Sequence, residues 1–310
     1  MTYRVGVDLG GTNIAVGLVD QQHKIVASSS VPTQAFRGVS QVVADICEAV
    51  NFVIHQAGAT IDDCSMIGVG APGICDVKKG LVVRSYSLAW ENVPLGDMLT
   101  ECFEKTVRLD NDANCAALAE VKAGAATGCR NVVLVTLGTG IGTGIVINGS
   151  IYSGLNGSGT EMGHAMLMLD GDLCSCGRRG CWDAYASATA LIAQARKAAA
   201  QRPESVLSGF PDLTGKDVFE ASLRGDVCAK AVIREYCNYI AVGVSNIVNI
   251  LAPDMILIGG GISCQGETIL EPIRKYIKEN CFDKRDEALP ILRVASMGND
   301  AGIIGAAALS

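Results

Sequence analysis

One histidine and three cysteines have the types and spacing of a closed metal site. Nine residues separate His164 from Cys174, and Cys176 and Cys181 complete the set in a glycine-rich stretch. Three thiolates and one imidazole fill the four positions of tetrahedral Zn²⁺ and leave none open, so such a metal would be structural. A group of free thiols or a redox pair is the alternative. The stretch lacks the paired Cys-x₂₋₄-Cys elements and the basic helix of a DNA-binding finger.

Three glycine-rich segments, each after an apolar stretch, have the composition of phosphate-binding turns. Backbone N–H groups in such turns can bind phosphate oxygens, and Asp8 could hold Mg²⁺ through water. The first segment fits neither the Walker pattern nor the dinucleotide fingerprint, which leaves a phosphate-binding hairpin or a plain glycine hairpin. We predict a nucleotide with its phosphates between the first two segments, bound by Asp8, Gly10, Gly11, Thr12, Asn13, Gly138, Thr139, Gly140, Gly260 and Gly261.

A carboxylate suited to proton abstraction stands between a short predicted strand and an alanine-rich helix. Phosphoryl transfer to an alcohol needs a base for the hydroxyl proton, and Asp112 can serve as that base. Asn111 beside it can hydrogen-bond a second hydroxyl of a polyol. The alternative is that Asp110 or Asp112 only caps the N-terminus of the helix.

These groups must be positioned by strands that alternate with helices. The first predicted strand runs from Tyr3 to Asp8, with a hairpin partner from Ile14 to Asp20. Helical spacing of apolar residues predicts helices over Val39 to Gln56 and Asp226 to Leu251. The alternation indicates an α/β fold with a largely parallel sheet and helices on both faces.

A short similarity between residues 5–10 and 133–138 indicates one supersecondary unit used twice, once in each lobe. We therefore predict a small N-terminal lobe of residues 1–115, joined by a closing helix at about 300–310. A larger C-terminal lobe of residues 116–299 would carry the predicted zinc loop.

Composition excludes several classes of protein. The chain has 310 residues, 49% of them hydrophobic, which is enough for a core in each of two lobes. Its net charge of −7 argues against a nucleic-acid partner, because phosphates must be neutralised by clustered Lys and Arg. No apolar signal segment opens the sequence, and no stretch fits a membrane-spanning helix. We expect a cytoplasmic protein whose 13 cysteines are reduced.

Nine segments, taken in order, resemble the ROK family of bacterial sugar kinases and related transcriptional repressors. They are DLGGTN, GAPG, WENVPL, NDAN, LGTGIGTG, EMGH, CSCGRRGC, LIGGGI and GNDAGIIGAA, spread over nearly the whole chain from Asp8 to Ala307. The resemblance implies a two-lobed, actin-like ATPase fold, similar to ribonuclease H, with its active site in the cleft between the lobes. It also implies ATP-dependent phosphorylation of a hexose, usually at the 6-hydroxyl, and a homodimer.

The resemblance also implies roles for individual residues. Asp112 would be the base, and Gly73, Asn111, Glu161 and His164 would bind the sugar. His164 would use one ring nitrogen for a hydroxyl and the other for zinc, so that the metal shapes the pocket.

Two departures from the family pattern concern the choice of sugar. Family kinases typically have Glu two residues after the last zinc cysteine, near the anomeric end of the sugar, whereas this chain has Asp183. Asp183 is predicted to bind the sugar, with capping of a helix from about Ala184 as the alternative. Ser87 stands where many members have Asn. Glucose is the predicted substrate, and N-acetylmannosamine, N-acetylglucosamine, allose and fructose are the alternatives.

Other classes of function predict other features. A repressor of the family would carry a winged helix-turn-helix before the DLGGTN segment, which here starts at Asp8, so we expect no such domain. A dehydratase activator would bind an iron–sulfur cluster between subunits, whereas the histidine and closely spaced cysteines favour zinc. A non-catalytic sugar sensor would not need Asp8, Asp112 and two phosphate-binding segments. The kinase is therefore the preferred hypothesis.

Overall fold

The structure is a computed structural model that describes residues 2–310. Its strands are β1 (Tyr3–Leu9), β2 (Asn13–Val19), β3 (Ile25–Pro32), β4 (Cys64–Ala71), β5 (Ile74–Asp76), β6 (Leu81–Ser85), β7 (Trp90–Val93), β8 (Val107–Asn111), β9 (Val132–Leu137), β10 (Ile141–Ile147), β11 (Ser150–Ile151), β12 (Met255–Gly259) and β13 (Ile291–Val294). Its α-helices are α1 (Val39–Gln56), α2 (Leu95–Phe103), α3 (Asp112–Ala123), α4 (Asp183–Ala186), α5 (Ala188–Ala200), α6 (Gly215–Leu223), α7 (Val227–Leu251), α8 (Glu267–Asn280) and α9 (Ala301–Ala307).

The first sheet has the strand order β3-β2-β1-β4-β8. Strand β1 pairs antiparallel with β2, and β2 pairs antiparallel with β3. The pairs β1–β4 and β4–β8 are parallel. The expectation of a largely parallel sheet is therefore right for only half of these pairs. Short turns join the first three strands and make them antiparallel, whereas parallel neighbours need longer crossover connections.

Helices cover both faces of this sheet, as predicted. Successive residues of a strand point to opposite faces. Val5 and Val7 of β1 lie in the same buried cluster as Val50 of α1. Between them, Gly6 lies against Ile303 of α9. Helix α9 also packs on β4 and on α3, so the last helix of the chain covers a face of the first sheet.

A buried carboxylate holds the closing segment to α3. Glu120 is fully buried, and its Oε1 accepts hydrogen bonds from the backbone N–H groups of Ser296 and Met297, both at 2.7 Å. Its Oε2 accepts from Ser296 Oγ at 3.0 Å and from the N–H of Ala125 at 2.7 Å. Four hydrogen bonds satisfy the buried charge, so this glutamate stabilises the attachment of α9.

The second sheet has the order β11-β10-β9-β12-β13, with β12 and β13 parallel and β10 and β11 antiparallel. A third, antiparallel sheet, β5-β6-β7, was not predicted. Its strands are three to five residues long, which is too short for a clear alternating pattern.

The chain divides into two compact units. Unit 1 is Met1–Leu134, Gly144–Thr160 and Ser296–Ser310, and unit 2 is Val135–Thr143 and Glu161–Ala295. The predicted lobes, 1–115 with 300–310 and 116–299, stay a prediction. Unit 1 also holds residues 116–123 of α3, because α3 packs on α9. Among residues 2–310, no helix has both the length and the apolar character needed to cross a membrane.

Candidate active site

The first glycine segment forms the turn between β1 and β2 in unit 1. The N–H of Gly10 donates to the carbonyl of Asn13 at 2.9 Å, and Thr12 at the tip is exposed. The fully buried Thr33 holds this turn, because its Oγ1 donates to Gly10 O at 2.6 Å and its N–H donates to Thr12 O at 2.8 Å. Thr33 was not predicted from the sequence, because it follows β3 and no local motif marks it.

Asp8 stands one residue before the end of β1 and lies against Gly302 of α9. Burial, followed by the nearby carboxylate of Asp112, raises the pKa of Asp8 to about 6. A bound cation would reverse this effect, because a nearby positive charge favours the ionised carboxylate. The position therefore suits a carboxylate that acts together with Mg²⁺.

The raised pKa of Asp8 predicts a pH-dependent stability. The pKa of Asp8 rises from 3.8 to about 6 on folding, so the folded state binds the proton of the Asp8 carboxyl more tightly than the unfolded state does. The contribution of Asp8 to the free energy of unfolding is then fully present below pH 3.8. It is lost as the pH rises through about 6, by at most about 3 kcal/mol.

Urea unfolding of the Mg²⁺-free protein from pH 4 to pH 7 measures this effect. The difference between wild type and Asp8→Asn should change with pH in that window and become constant above it. The exposed Asp212 offers a control, and Asp212→Asn should track the wild type. A difference between wild type and Asp8→Asn that is independent of pH would contradict the assignment.

Asn111 and Asp112 stand where β8 ends and α3 begins. The Oδ1 atom of Asn111 accepts from the N–H groups of Ala113 at 2.9 Å and Asn114 at 3.2 Å, so Asn111 is the N-cap. Its Nδ2 donates to the carbonyl of Gly73 at 3.0 Å, which brings two predicted sugar ligands together. Asp112 is the first helical residue, and its Oδ1 accepts from the N–H of Ala113 at 2.8 Å. Asn111 is therefore the N-cap, and Asp112 lies inside the first turn of the helix.

The neighbouring Asp110 is buried beneath the junction of β8 and α3 and accepts hydrogen bonds from it. It is 5% exposed, and its Oδ1 accepts from the N–H of Asn111 at 2.7 Å and from Asn114 Nδ2 at 2.8 Å. Burial raises its pKa, and the hydrogen bonds from Asn114 and Asn111 oppose the rise. Asp110 therefore supports the backbone on which Asp112 stands.

The second glycine segment forms the turn between β9 and β10 in unit 2. The N–H of Gly138 donates to the carbonyl of Gly140 at 3.0 Å. The start of α5 holds two further carbonyls of the turn. Thr189 Oγ1 donates to Thr139 O, and the N–H of Ala188 donates to Gly138 O, both at 2.8 Å. Thr139 and Gly140 are exposed, so the tip of the turn is accessible to a ligand.

The third glycine segment lies beside the second within unit 2. Gly260 follows β12 with a φ of +79°, a conformation that favours glycine. A Cβ atom there would lie 2.5 Å from the carbonyl oxygen of Leu137, the residue before the turn. Two of the three predicted nucleotide-binding segments are thus in contact.

The predicted metal ligands come together in unit 2. The ligand atoms of His164, Cys174, Cys176 and Cys181 all lie within 4.8 Å of one another. His164 Nδ1 is 3.6 Å from Cys174 Sγ, and Cys176 Sγ is 3.7 Å from Cys181 Sγ. Tetrahedral zinc, with bonds of about 2.3 Å to sulfur and 2.0 Å to nitrogen, separates its ligands by roughly 3.5–3.8 Å. The donor set therefore fits Zn²⁺ in chemistry, and the two distances of 3.6 Å and 3.7 Å match its ligand spacing.

A backbone turn joins this cluster to Glu161, another predicted sugar ligand. The N–H of His164 donates to the carbonyl of Glu161 at 3.0 Å across the 3₁₀ turn Met162–His164. Because Nδ1 faces Cys174, the ring presents Nε2 as its second nitrogen. The Glu161 side chain is exposed and is available for a ligand.

Asp183 is the first residue of α4 and is 9% exposed. Trp182 is the N-cap, and α4 has no side-chain cap hydrogen bond, so the capping alternative for Asp183 is not what the structure shows. Its Oδ1 accepts from the N–H of Ile141 at 2.6 Å. Sugar binding by Asp183 stays a prediction.

Comparison with known proteins identifies the family. The model of the ROK family matches residues 4–310. A glucokinase of Halalkalibacterium halodurans is 37% identical over 306 residues, which cover 97% of this chain and 92% of the relative. The structure of a ROK family glucokinase from Streptomyces griseus in complex with glucose and AMPPNP has a TM-score of 0.81 and 33% identity, with 99% of both chains covered. A ROK hexokinase from Thermus thermophilus has a TM-score of 0.83 and 31% identity, with 99% of this chain and 97% of that chain covered. The chain, with its mixed α/β, actin-like architecture, therefore belongs to the ROK family.

Proposed function

We propose that this protein transfers the γ-phosphoryl group of ATP to a hexose, most readily to the 6-hydroxyl of glucose. The similarity to glucokinases over nearly the full chain supports the reaction. The observation that carries the proposal is the position of Asp112 at the start of α3, next to a helix cap that Asn111 already provides. Asp112 is thus the first helical residue and not the N-cap, and we assign it the role of the base.

In the proposed reaction, Asp112 accepts the proton of the sugar hydroxyl. The hydroxyl oxygen forms a bond to the γ-phosphorus of ATP while the bond to the bridging oxygen of the β-phosphate breaks, and ADP leaves. Positioning and charge neutralisation supply most of the rate in such transfers. When bound, Mg²⁺ would neutralise phosphate charge, and Asp8 would hold it through water.

The nucleotide contacts are assigned to the three glycine segments. In unit 1, the turn held by Thr33 would present the backbone N–H groups of Gly11 and Thr12 to phosphate, while the N–H of Gly10 closes the turn by bonding to Asn13 O. In unit 2, the N–H groups of Thr139 and Gly140 at the tip of the turn would do the same, while the N–H of Gly138 bonds to Gly140 O. Gly260 and Gly261 would accept the adenosine part, where a Cβ atom on Gly261 would meet nothing within 4 Å, which leaves open space for a flat ring.

The sugar contacts are assigned to Gly73, Asn111, Glu161 and His164. A structural zinc ion held by Nδ1 of His164 and the three cysteines would orient the ring so that Nε2 meets a hydroxyl. The spacing of the four ligand atoms supports this assignment. The homodimer, which the family resemblance implies, and the location in the cytoplasm both stay predictions.

A panel of hexoses in a coupled ADP-release assay tests the proposal. Glucose should show the highest kcat/KM among glucose, fructose, allose, N-acetylglucosamine and N-acetylmannosamine. A higher kcat/KM for another sugar would reassign the substrate but keep the reaction. ADP release that no sugar stimulates would contradict the kinase and favour a sugar sensor.

A further inference from the structure

We propose that Asp183 acts as a positioning residue for the glycine turn of residues 138–141, and that it connects the histidine–cysteine cluster to nucleotide binding. The proposal rests on the proposed function, in which this turn contacts ATP phosphates. It assigns Asp183 an effect on ATP affinity in place of a contact with the sugar.

Both carboxylate oxygens of Asp183 face protein groups. Oδ1 accepts from the backbone N–H of Ile141 at 2.6 Å, at the point where the turn enters β10. Oδ2 lies 3.9 Å from Cys174 Sγ, a member of the predicted metal set. Asp183 follows Cys181 by two residues, so the same short segment carries a metal ligand and the carboxylate that holds the turn.

The space around Oδ1 explains why aspartate suits this position. A Cβ atom on Gly140 would lie 2.8 Å from Oδ1, so a side chain at residue 140 would push the carboxylate away from the turn. A glutamate at position 183 would carry its carboxylate about one methylene further, into the space that the turn occupies. The shorter side chain, where the family typically has glutamate, therefore matches a turn that packs directly against it.

The turn of residues 138–141 is held by one hydrogen bond to a carboxylate, that of Asp183, and by hydrogen bonds from neutral groups. Ala188 and Thr189 hold the carbonyls of residues 138 and 139 from the start of α5. The Ile141 N–H is held by a buried carboxylate, and hydrogen bonds to charged groups are about twice as strong as neutral ones. A displacement of about 1 Å in a positioning element can cost roughly a hundredfold in rate, so this bond should matter for phosphate alignment.

Three substitutions and one control separate this role from a sugar contact. Asp183→Ala should raise KM for ATP by roughly tenfold to a hundredfold, the effect of losing a charged hydrogen bond, with little change in KM for glucose. Asp183→Asn keeps an oxygen acceptor and should bring KM for ATP to within about fivefold of wild type. Asp183→Glu should raise KM for ATP by crowding Gly140. The exposed Asp170 on the same loop provides a charge-matched control, and Asp170→Asn should leave both KM values unchanged.

Hydrogen exchange at the Ile141 amide is a readout of the bond itself. Exchange should accelerate in Asp183→Ala and stay near wild type in Asp183→Asn, with the metal content equal in both. Unchanged exchange at the Ile141 amide in Asp183→Ala would overturn the positioning role of Asp183 and leave the proposed kinase function untouched. If AMPPNP fails to protect residues 138–142 in the wild type, the nucleotide role of the turn is wrong, and this proposal is wrong with it.

The kinetic pattern can also overturn the proposal. A rise in KM for glucose with unchanged KM for ATP in Asp183→Ala would assign Asp183 to the sugar. If that variant does not fold, Asp183→Asn and Asp183→Glu decide. If Asp183 positions the turn, KM for ATP should stay near wild type in Asp183→Asn and rise in Asp183→Glu. If Asp183 binds the sugar, KM for glucose should rise in Asp183→Asn and fall in Asp183→Glu.

Discussion

Asp112→Ala should lower kcat for glucose phosphorylation by at least roughly 10²–10⁴-fold, the usual contribution of a general base. KM for ATP should change little, because the predicted phosphate contacts come from the glycine segments. Loss of correct placement of the attacking hydroxyl adds to the effect. Steady-state kinetics with a coupled ADP assay, together with glucose binding by calorimetry, measure the two parts separately.

Asp97 offers a matched control for this variant. Both aspartates lie in the first turn of a helix, Asp97 in α2 and Asp112 in α3. Each interacts with the helix dipole there, an effect worth about 0.3–1 kcal/mol at a surface position. Asp97→Ala should therefore reproduce the stability effect and leave kcat unchanged. If Asp112→Ala retains most of its kcat, Asp112 serves only the helix terminus, and the proposed mechanism is wrong.

Removal of the proposed zinc should abolish efficient glucose phosphorylation before the protein unfolds. Its proposed ligands lie on the segment from His164 to Cys181, and Glu161 is held to His164 through the turn between them. Structural zinc contributes on the order of 10 kcal/mol to the folding of such loops, so its loss should disorder residues 155–183. KM for glucose should rise steeply, and the unfolding midpoint of the rest of the protein should change less.

Metal analysis and chelation test this expectation. Purified protein should contain about one zinc per chain, because the four ligands form a single closed site. Cys176→Ser should lose metal and activity, whereas Cys102→Ser, at another exposed cysteine outside the cluster, should retain both. Iron with visible absorbance, or a fully active metal-free protein, would contradict the zinc assignment.

Much of the fold could be predicted because the deciding signals are local. Helix α1 has the predicted bounds, Val39–Gln56, since its apolar residues recur with helical spacing and Gly58 follows its end. Helix α7 begins at Val227 behind the Asp226 cap, one residue inside the predicted range. The short strands β5 to β7 were not predicted, because three to five residues are too few to show the two-residue alternation of a strand.

The candidate site divides in the same way. The sequence by itself picked out the histidine–cysteine set, whose ligand atoms the structure brings together, and the Asp112 segment, because the residues of each are close in the chain. Only the tertiary structure decided which side chains hold those segments in place. Thr33 reaches back over 23 residues to Gly10, Asp183 over 42 to Ile141, and Glu120 forward over 176 to Ser296. Each of these side chains bonds to backbone groups, which every residue type carries, so no pattern of residue types along the chain records the pairing.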